Sequence, residues 1–239
     1  DLTGFAGTLV AASSMRFFGD LVFSSGMTVG SLASTITFVK TSGTQTITTA
    51  GKTIDQAVTI DGVGGTVSLQ DALTLGSTRT LTLTNGTLTT NGYAVTSGLF
   101  ASSNTNARTL NLGASIVTIA GTGTTWNITD PTNMTLNAGT SSITTNGNTA
   151  AVTFAGGGLT YYNVTFGATY YNNTLAGTNT FNNLTIASPA AAGRRNIGIS
   201  NNQVINGTFT MAGSAANSRP RITGVVGGTT ITAAAVSLA

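Results

Sequence analysis

The side chains able to do acid–base chemistry are few. Asp1, Asp20, Asp55, Asp61, Asp71 and Asp130 are the only carboxylic acids among 239 residues, and Cys, His and Glu are absent. Thiolate chemistry, disulfides and zinc–thiolate sites are therefore excluded, as is a histidine base or pH switch. Two carboxylates facing a glycosidic bond, about 5 Å or 6.5–9.5 Å apart, suffice for polysaccharide hydrolysis. The one acid cluster in the chain is Asp55, Asp61 and Asp71. Asp55 and Asp61 flank an apolar–polar–apolar triplet, 58–60, which places them near its opposite ends. Asp55-Gln56 and Asp61-Gly62 also read as turn chemistry, with the carboxylate bonding nearby backbone. No residue is assigned to catalysis. The acids do not cluster as calcium ligands, and the glycine runs 63–65 and 155–158 lack the Lys-Ser/Thr of a phosphate loop. No metal ligand or cofactor is expected.

Binding chemistry has better candidates. Trp126 and the pairs Tyr161-Tyr162 and Tyr170-Tyr171 are aromatic residues with a polar tip. Neighbouring residues of a strand face opposite ways, so one tyrosine of each pair is expected to point outward, where it can stack on a sugar ring or pack on a neighbouring subunit. Arg194-Arg195 and Arg219-Pro-Arg221 lie in stretches rich in Gly, Ala and Pro, as loop residues open to acidic sugars or to a partner's carbonyls. No acid follows Asp130, yet four arginines without a basic stripe do not make a nucleic-acid surface.

The elements that must position these residues read as strands. Helix formers are scarce, and Thr supplies about one residue in five. Short triplets recur with period two, among them Ile36-Thr-Phe38, Leu81-Thr-Leu83, Val117-Thr-Ile119 and Val152-Thr-Phe154. Gly, Asn or Ser punctuation follows, as in Asn85-Gly86, Asn91-Gly92 and Asn146-Gly147. A longer unit also returns: Phe18-Gly-Asp-Leu-Val-Phe23, Tyr162-Asn-Val-Thr-Phe166, Phe181-Asn-Asn-Leu-Thr-Ile186 and Ile205-Asn-Gly-Thr-Phe-Thr-Met211. From Val164 to Leu184, Phe209 and Val236 the steps are 20, 25 and 27 residues, the size of one solenoid coil. The reading is an all-β chain, a parallel β-helix (β-solenoid) with irregular coils of about 20–27 residues. Phe166, Ile186 and Met211 would line its core, and Asn163, Asn183 and Asn206 would stack as an Asn ladder at a turn. Tandem β-sandwich domains are the alternative, since hairpins would use the Asn-Gly pairs but leave the long repeat without a cause.

Charged residues make up only 6% of the chain and hydrophobic ones 40%, enough for a core. Stacked coils place like on like, which disfavours charges and suits Thr, Ser and Asn. Residues 1–239 are expected to form a single elongated solenoid segment of a longer chain, with 55–109 as a less regular stretch able to hold an insert. Roughly ten rungs at about 4.8 Å would give a rod on the order of 50 Å. No apolar run approaches the roughly 18 residues that span a bilayer, so membrane insertion is not expected.

The stretch Thr41-Ser-Gly-Thr-Gln-Thr-Ile-Thr-Thr-Ala-Gly-Lys-Thr-Ile54, followed by Thr59-Ile-Asp-Gly-Val-Gly-Gly-Thr66, resembles repetitive Thr/Gly/Asn-rich β-solenoid proteins of tailed bacteriophages. The units 18–23 and 181–186 are similar to rungs of those proteins and of some bacterial surface adhesins. The resemblance covers most of the chain and implies a virion appendage: a tail fibre, tailspike or capsid fibre at the virion surface. It also implies a homo-oligomer, a trimer above all, or assembly with other virion proteins, and contact with host-surface glycans. No active-site motif is carried over. A bacterial cell-surface adhesin or filament, and a polysaccharide depolymerase, are the other functions considered.

Overall fold

The computed structural model describes residues 1–11, 13–32, 35–147, 150–167, 172–188, 195–213, 220–223 and 229–238. Among them there is no helix, and every strand pairing is parallel. The chain is a β-solenoid with up to three strands per coil.

The first face of the coil is a ladder of ten strands, from Met15–Phe17 to Pro220–Thr223. The second continues the same sheet around a corner through Thr44–Thr48, the distal parts of Val58–Leu69 and Thr80–Thr89, Arg108–Asn111 and Met134–Asn137. The third is a nine-strand ladder from Thr53–Ile54 to Ile231–Leu238. Nine rungs at about 4.8 Å extend for roughly 40 Å. A separate pair, Thr8–Ala11 with Thr28–Leu32, lies near the N-terminal end.

Register follows the sequence triplets. Their apolar members stack inward as columns. One runs Ile36, Val58, Leu81, Phe100, Trp126, Phe154, Leu175 and Ile199, each 2% exposed or less. Another contains the expected steps Val164–Leu184–Phe209–Val236 as direct register partners, the first three buried and Val236, in the last described coil, exposed. The central Thr of each triplet points outward: Thr53, Thr74, Thr96, Thr118, Thr144, Thr165, Thr185 and Thr210 form one file along the third face. Branched side chains favour the extended backbone, and a hydroxyl tolerates water at half-burial.

The stretch 55–109 carries the same coils. Val58, Thr59 and Ile60 pair in register with Leu81, Thr82 and Leu83, and Leu81 pairs onward with Phe100. The Asn-Gly pairs do not make hairpins. Asn85-Gly86 turns the strand Thr80–Thr89 from the first face to the second, and Asn91-Gly92 turns out of the second, with positive φ at Gly86, Asn91 and Gly92. The tandem-sandwich alternative is thereby set aside, because its antiparallel pairs do not occur among the described residues.

Candidate functional site

The carboxylates are taken up by structure. Asp55 pairs with Arg79 (Oδ1 to Nε, 3.0 Å) at a corner of the rod. Asp61 accepts a bond from Asn85 Nδ2 at 2.6 Å on the next coil. Asp71 accepts the backbone N–H groups of Thr49 and Ala50 at 2.8 and 2.6 Å. Asp20 takes that of Thr46 at 2.7 Å, and Asp130 and Asp1 close turns at Thr132 and Thr3. Asp55 and Asp61 stand at the two ends of the triplet 58–60 and bind different partners. Among the described residues no group of three acids gathers as a metal site.

These bonds have a consequence for pH. The hydrogen bond and charge of Arg79 hold the Asp55 carboxyl below its ordinary 3.8, and bonds from Thr132 do the same for Asp130. A carboxyl with a lowered folded pKa stabilises the fold above the ordinary carboxyl range, and that stability is lost as pH falls through the folded value. With no histidine, no side chain has an ordinary pKa in the range of about pH 5–8. The thermal midpoint is expected to stay flat there and to drop below about pH 4, more shallowly in an Asp55→Asn/Asp130→Asn double variant. A step near pH 6.5 would contradict this reading.

The aromatic candidates divide. Trp126 and Tyr161, read above as possible surface contacts, are each 1% exposed and belong to the core. Trp126 stacks on Phe100 at 4.3 Å and on Phe154 at 5.7 Å between ring centroids, and Tyr161 stacks on Phe181 at 5.8 Å. Their polar tips meet inside: Trp126 Nε1 donates to Tyr161 Oη (3.1 Å), which donates to Gly156 O (2.8 Å). A buried ring needs a partner for its polar atom, and here each supplies the other's. Burial pushes the Tyr161 hydroxyl pKa up. Tyr162, the outward member of the pair, is half-buried at the surface. Tyr170 and Tyr171 lie outside the described residues.

Tyr162 lies in a groove of about 510 Å³ that also involves Leu136, Asn137, Thr160, Asn182 and Asn206. The topology explains it. Among the described residues Met134–Asn137 is the last strand of the second face and pairs only with Arg108–Asn111. In the next coil a glycine turn, 156–158, leads into Thr160–Phe166 without covering it. Gly157 has φ +67°, and a Cβ there would come within 2.3 Å of Ile128 O, so this turn depends on a residue without a side chain. Tyr162, Asn182 and Asn206 occupy successive coils along the groove, since Tyr161 pairs with Phe181 and Phe181 with Ile205. Asn137 closes an amide ladder, donating to Asn111 Oδ1 at 2.7 Å, while Asn111 donates to Thr89 Oγ1 at 3.0 Å. None of these lining residues is charged.

The expected Asn ladder forms in part. Asn183 Nδ2 donates to Asn163 Oδ1 at 2.9 Å, and Asn163 reaches Ser142 Oγ at 3.4 Å. Asn206 is not its third rung. It follows Ile205, the partner of Phe181, and so stands at the register position of Asn182, while one extra residue between Ile205 and Phe209 brings the Thr208 backbone N–H to Asn183 Oδ1 at 2.8 Å. A Cβ at Gly207 would meet Asn182 O and Asn183 Oδ1 at 2.6 Å, which is why glycine sits in this bulge. Its register beside Asn182 is what puts Asn206 in the groove. Asn137 and Asn182 were not singled out from sequence. The signal that could have found them is the Asn following a triplet in 134–137 and the doubled Asn of 181–186.

Among the arginines, Arg195 is a correction: it is not a loop tip but wholly buried at the start of Arg195–Ile199. Burial pushes its pKa down to about 10, so it stays charged at neutral pH. Arg221 is exposed and donates to Asn196 Oδ1 at 3.2 Å on the neighbouring coil. Arg194 and Arg219 lie outside the described residues. No described helix is long and apolar enough to cross a membrane. Compared with protein-family models, curated proteins and solved structures, the chain matches none.

Proposed function

We propose that this chain is a non-enzymatic structural and adhesive rod of a bacteriophage virion appendage, a fibre or spike, whose side-wall groove meets a host-surface glycan. The groove carries the reading: a half-buried tyrosine and three asparagine amides, without a charge, lie along an open ledge of the wall. An aromatic face suits the C–H side of a sugar ring, and amides suit its hydroxyls because they both donate and accept. Successive coils repeat at about 4.8 Å, comparable to one pyranose unit, so a saccharide lying along the axis would meet a new amide at each coil. The rod function draws on the unbroken parallel ladders, and the phage setting on the resemblance of residues 41–66. Assembly as a homo-oligomer, such as a trimer, or with other virion proteins belongs to the same proposal, as does a place at the virion surface.

Binding of the full-length protein to host cells and to immobilised glycans tests it. Tyr162→Ala is expected to weaken binding about tenfold, the loss typical of an aromatic anchor, with an unchanged thermal midpoint. Equal binding by both proteins would reject the groove. The bacterial adhesin reading shares this physics and differs in location, so labelled antibody on purified particles against cell surfaces separates the two. Polysaccharide cleavage lost on Asp55→Asn/Asp61→Asn would replace the proposal with a depolymerase.

A further inference from the structure

Among the described residues two arginines are buried in the rod, and they are satisfied differently. Arg108 uses Nε, Nη1 and Nη2 to bond one hydroxyl and four carbonyl oxygens at 2.6–2.9 Å. Arg195 uses only Nη1, which donates to Phe166 O at 3.2 Å and Ala187 O at 3.1 Å. Its Nε and Nη2 are buried without a partner. That flank is the bidentate edge of a guanidinium. Arg79 shows the edge in use, gripping Asp55 with Nε at 3.0 Å and Nη2 at 3.4 Å.

An enclosed cation with an empty bidentate edge is strongly unfavourable. This half of the chain cannot neutralise it with a side chain, because no Asp or Glu follows Asp130. A second orphan lies on the adjoining rung. Thr145 is the register partner of Phe166, whose carbonyl holds Nη1, and its Oγ1 is also buried without a partner. Water would satisfy the donors but leave the charge. Sulfate or phosphate is large for a residue with no exposed surface. A halide accepts N–H groups from any direction and brings one negative charge in little more than the volume of a water molecule.

We propose that the interior corner at Arg195 holds a small monovalent anion, of chloride size, on Nε and Nη2. The anion neutralises the guanidinium that ties the ends of Thr160–Phe166 and Thr180–Ile186 to the start of Arg195–Ile199, and so makes rod stability depend on halide.

Crystals of the protein grown in sodium bromide, measured at the bromine edge, test this directly. An anomalous peak within hydrogen-bonding reach of Arg195 Nε and Nη2 is expected. In solution the thermal midpoint should exceed that in sodium gluconate of equal ionic strength by about 2–4 °C or more. Arg195→Gln should remove that difference, while Arg221→Gln, at a surface arginine, should keep it. If Arg195→Gln does not fold, the wild-type diffraction decides alone. Density without anomalous signal means water and overturns the proposal. So does a carboxylate from a second chain on this edge, or a midpoint indifferent to halide.

Discussion

Arg108→Met is expected to destabilise the protein by about 3–5 kcal/mol, the largest loss of any single polar substitution here. The methionine stem fills much of the space of the arginine stem, so the effect is one of hydrogen bonding. Nε donates to Ser102 Oγ, Nη1 to Asn106 O and Thr132 O, and Nη2 to Ser102 O and Asp130 O. The arginine is 2% exposed and clips the corner 102–106 of its own coil to the corner 130–132 of the next. Burial lowers its pKa and the nearby Asp130 carboxylate offsets part of this. Removing the guanidinium strands several acceptors. Each that stays buried costs about 1–3 kcal/mol, and two such losses give about 2–6 kcal/mol, on which the stated range is centred. Carbonyls at the exposed ends of the clip will recover water, which keeps the total from reaching the sum over all five bonds. The midpoint should fall by roughly 10 °C. Coils of a solenoid touch only their neighbours, so faster amide exchange should be confined to the corners near 102–108 and 130–134. Arg108→Lys should rescue part of the loss, because one ammonium cannot span five acceptors. A midpoint unchanged within 2 °C would show that the clip contributes nothing net.

This arginine shows what the sequence made legible and what it hid. The fold was readable because a solenoid repeats its register: Val164, Leu184, Phe209 and Val236 are spaced as coils in the chain and stacked as coils in space. The inward and outward faces were readable because strands alternate, which also placed Tyr161 in the core and Tyr162 outside once the pair was known to lie in one strand. Hidden were properties set at corners. Arg108 and Arg195 look alike in sequence to any surface arginine, yet each begins a strand in an inward phase. Asn206 is not in the ladder because it follows Ile205, the partner of Phe181, and so stands beside Asn182 rather than Asn183, and one residue of register is enough to change which side chain faces a neighbour. The groove was hidden for a related reason. It arises because no described strand stands above Met134–Asn137, and an absent rung has no motif.

Trp126→Ala should cost about 3–5 kcal/mol, the range for deleting a large buried aromatic, and it should act on the groove from behind. Trp126 is the centre of the aromatic column: Phe100 lies at 4.3 Å on one side, Phe154 at 5.7 Å on the other, and Tyr161 meets it edge-on at 6.1 Å. Alanine leaves a cavity that rigid strands on both sides cannot close, since ladder hydrogen bonds hold the coil spacing. It also removes the donor to Tyr161 Oη, whose own hydrogen bond helps hold Gly156 O at the start of the glycine turn that leads into Thr160 of the groove. Two further variants separate packing from hydrogen bonding. Trp126→Phe keeps a ring in the column and loses only the N–H, leaving Tyr161 free to donate to Gly156, so about 1 kcal/mol is expected. Tyr161→Phe keeps the ring but orphans Trp126 Nε1 and leaves Gly156 O with only the Leu159 N–H at 3.3 Å, so about 1–3 kcal/mol is expected. The predicted order of destabilisation is therefore Trp126→Ala, then Tyr161→Phe, then Trp126→Phe, read from denaturant midpoints. Ligand affinity at Tyr162 should follow another order. Tyr161→Phe should weaken it more than Trp126→Phe, because only the former removes a hydrogen bond from the turn that leads into Thr160 of the groove. If Trp126→Phe proved as damaging as Trp126→Ala, the shape of the indole rather than the filled column would be what holds these coils together.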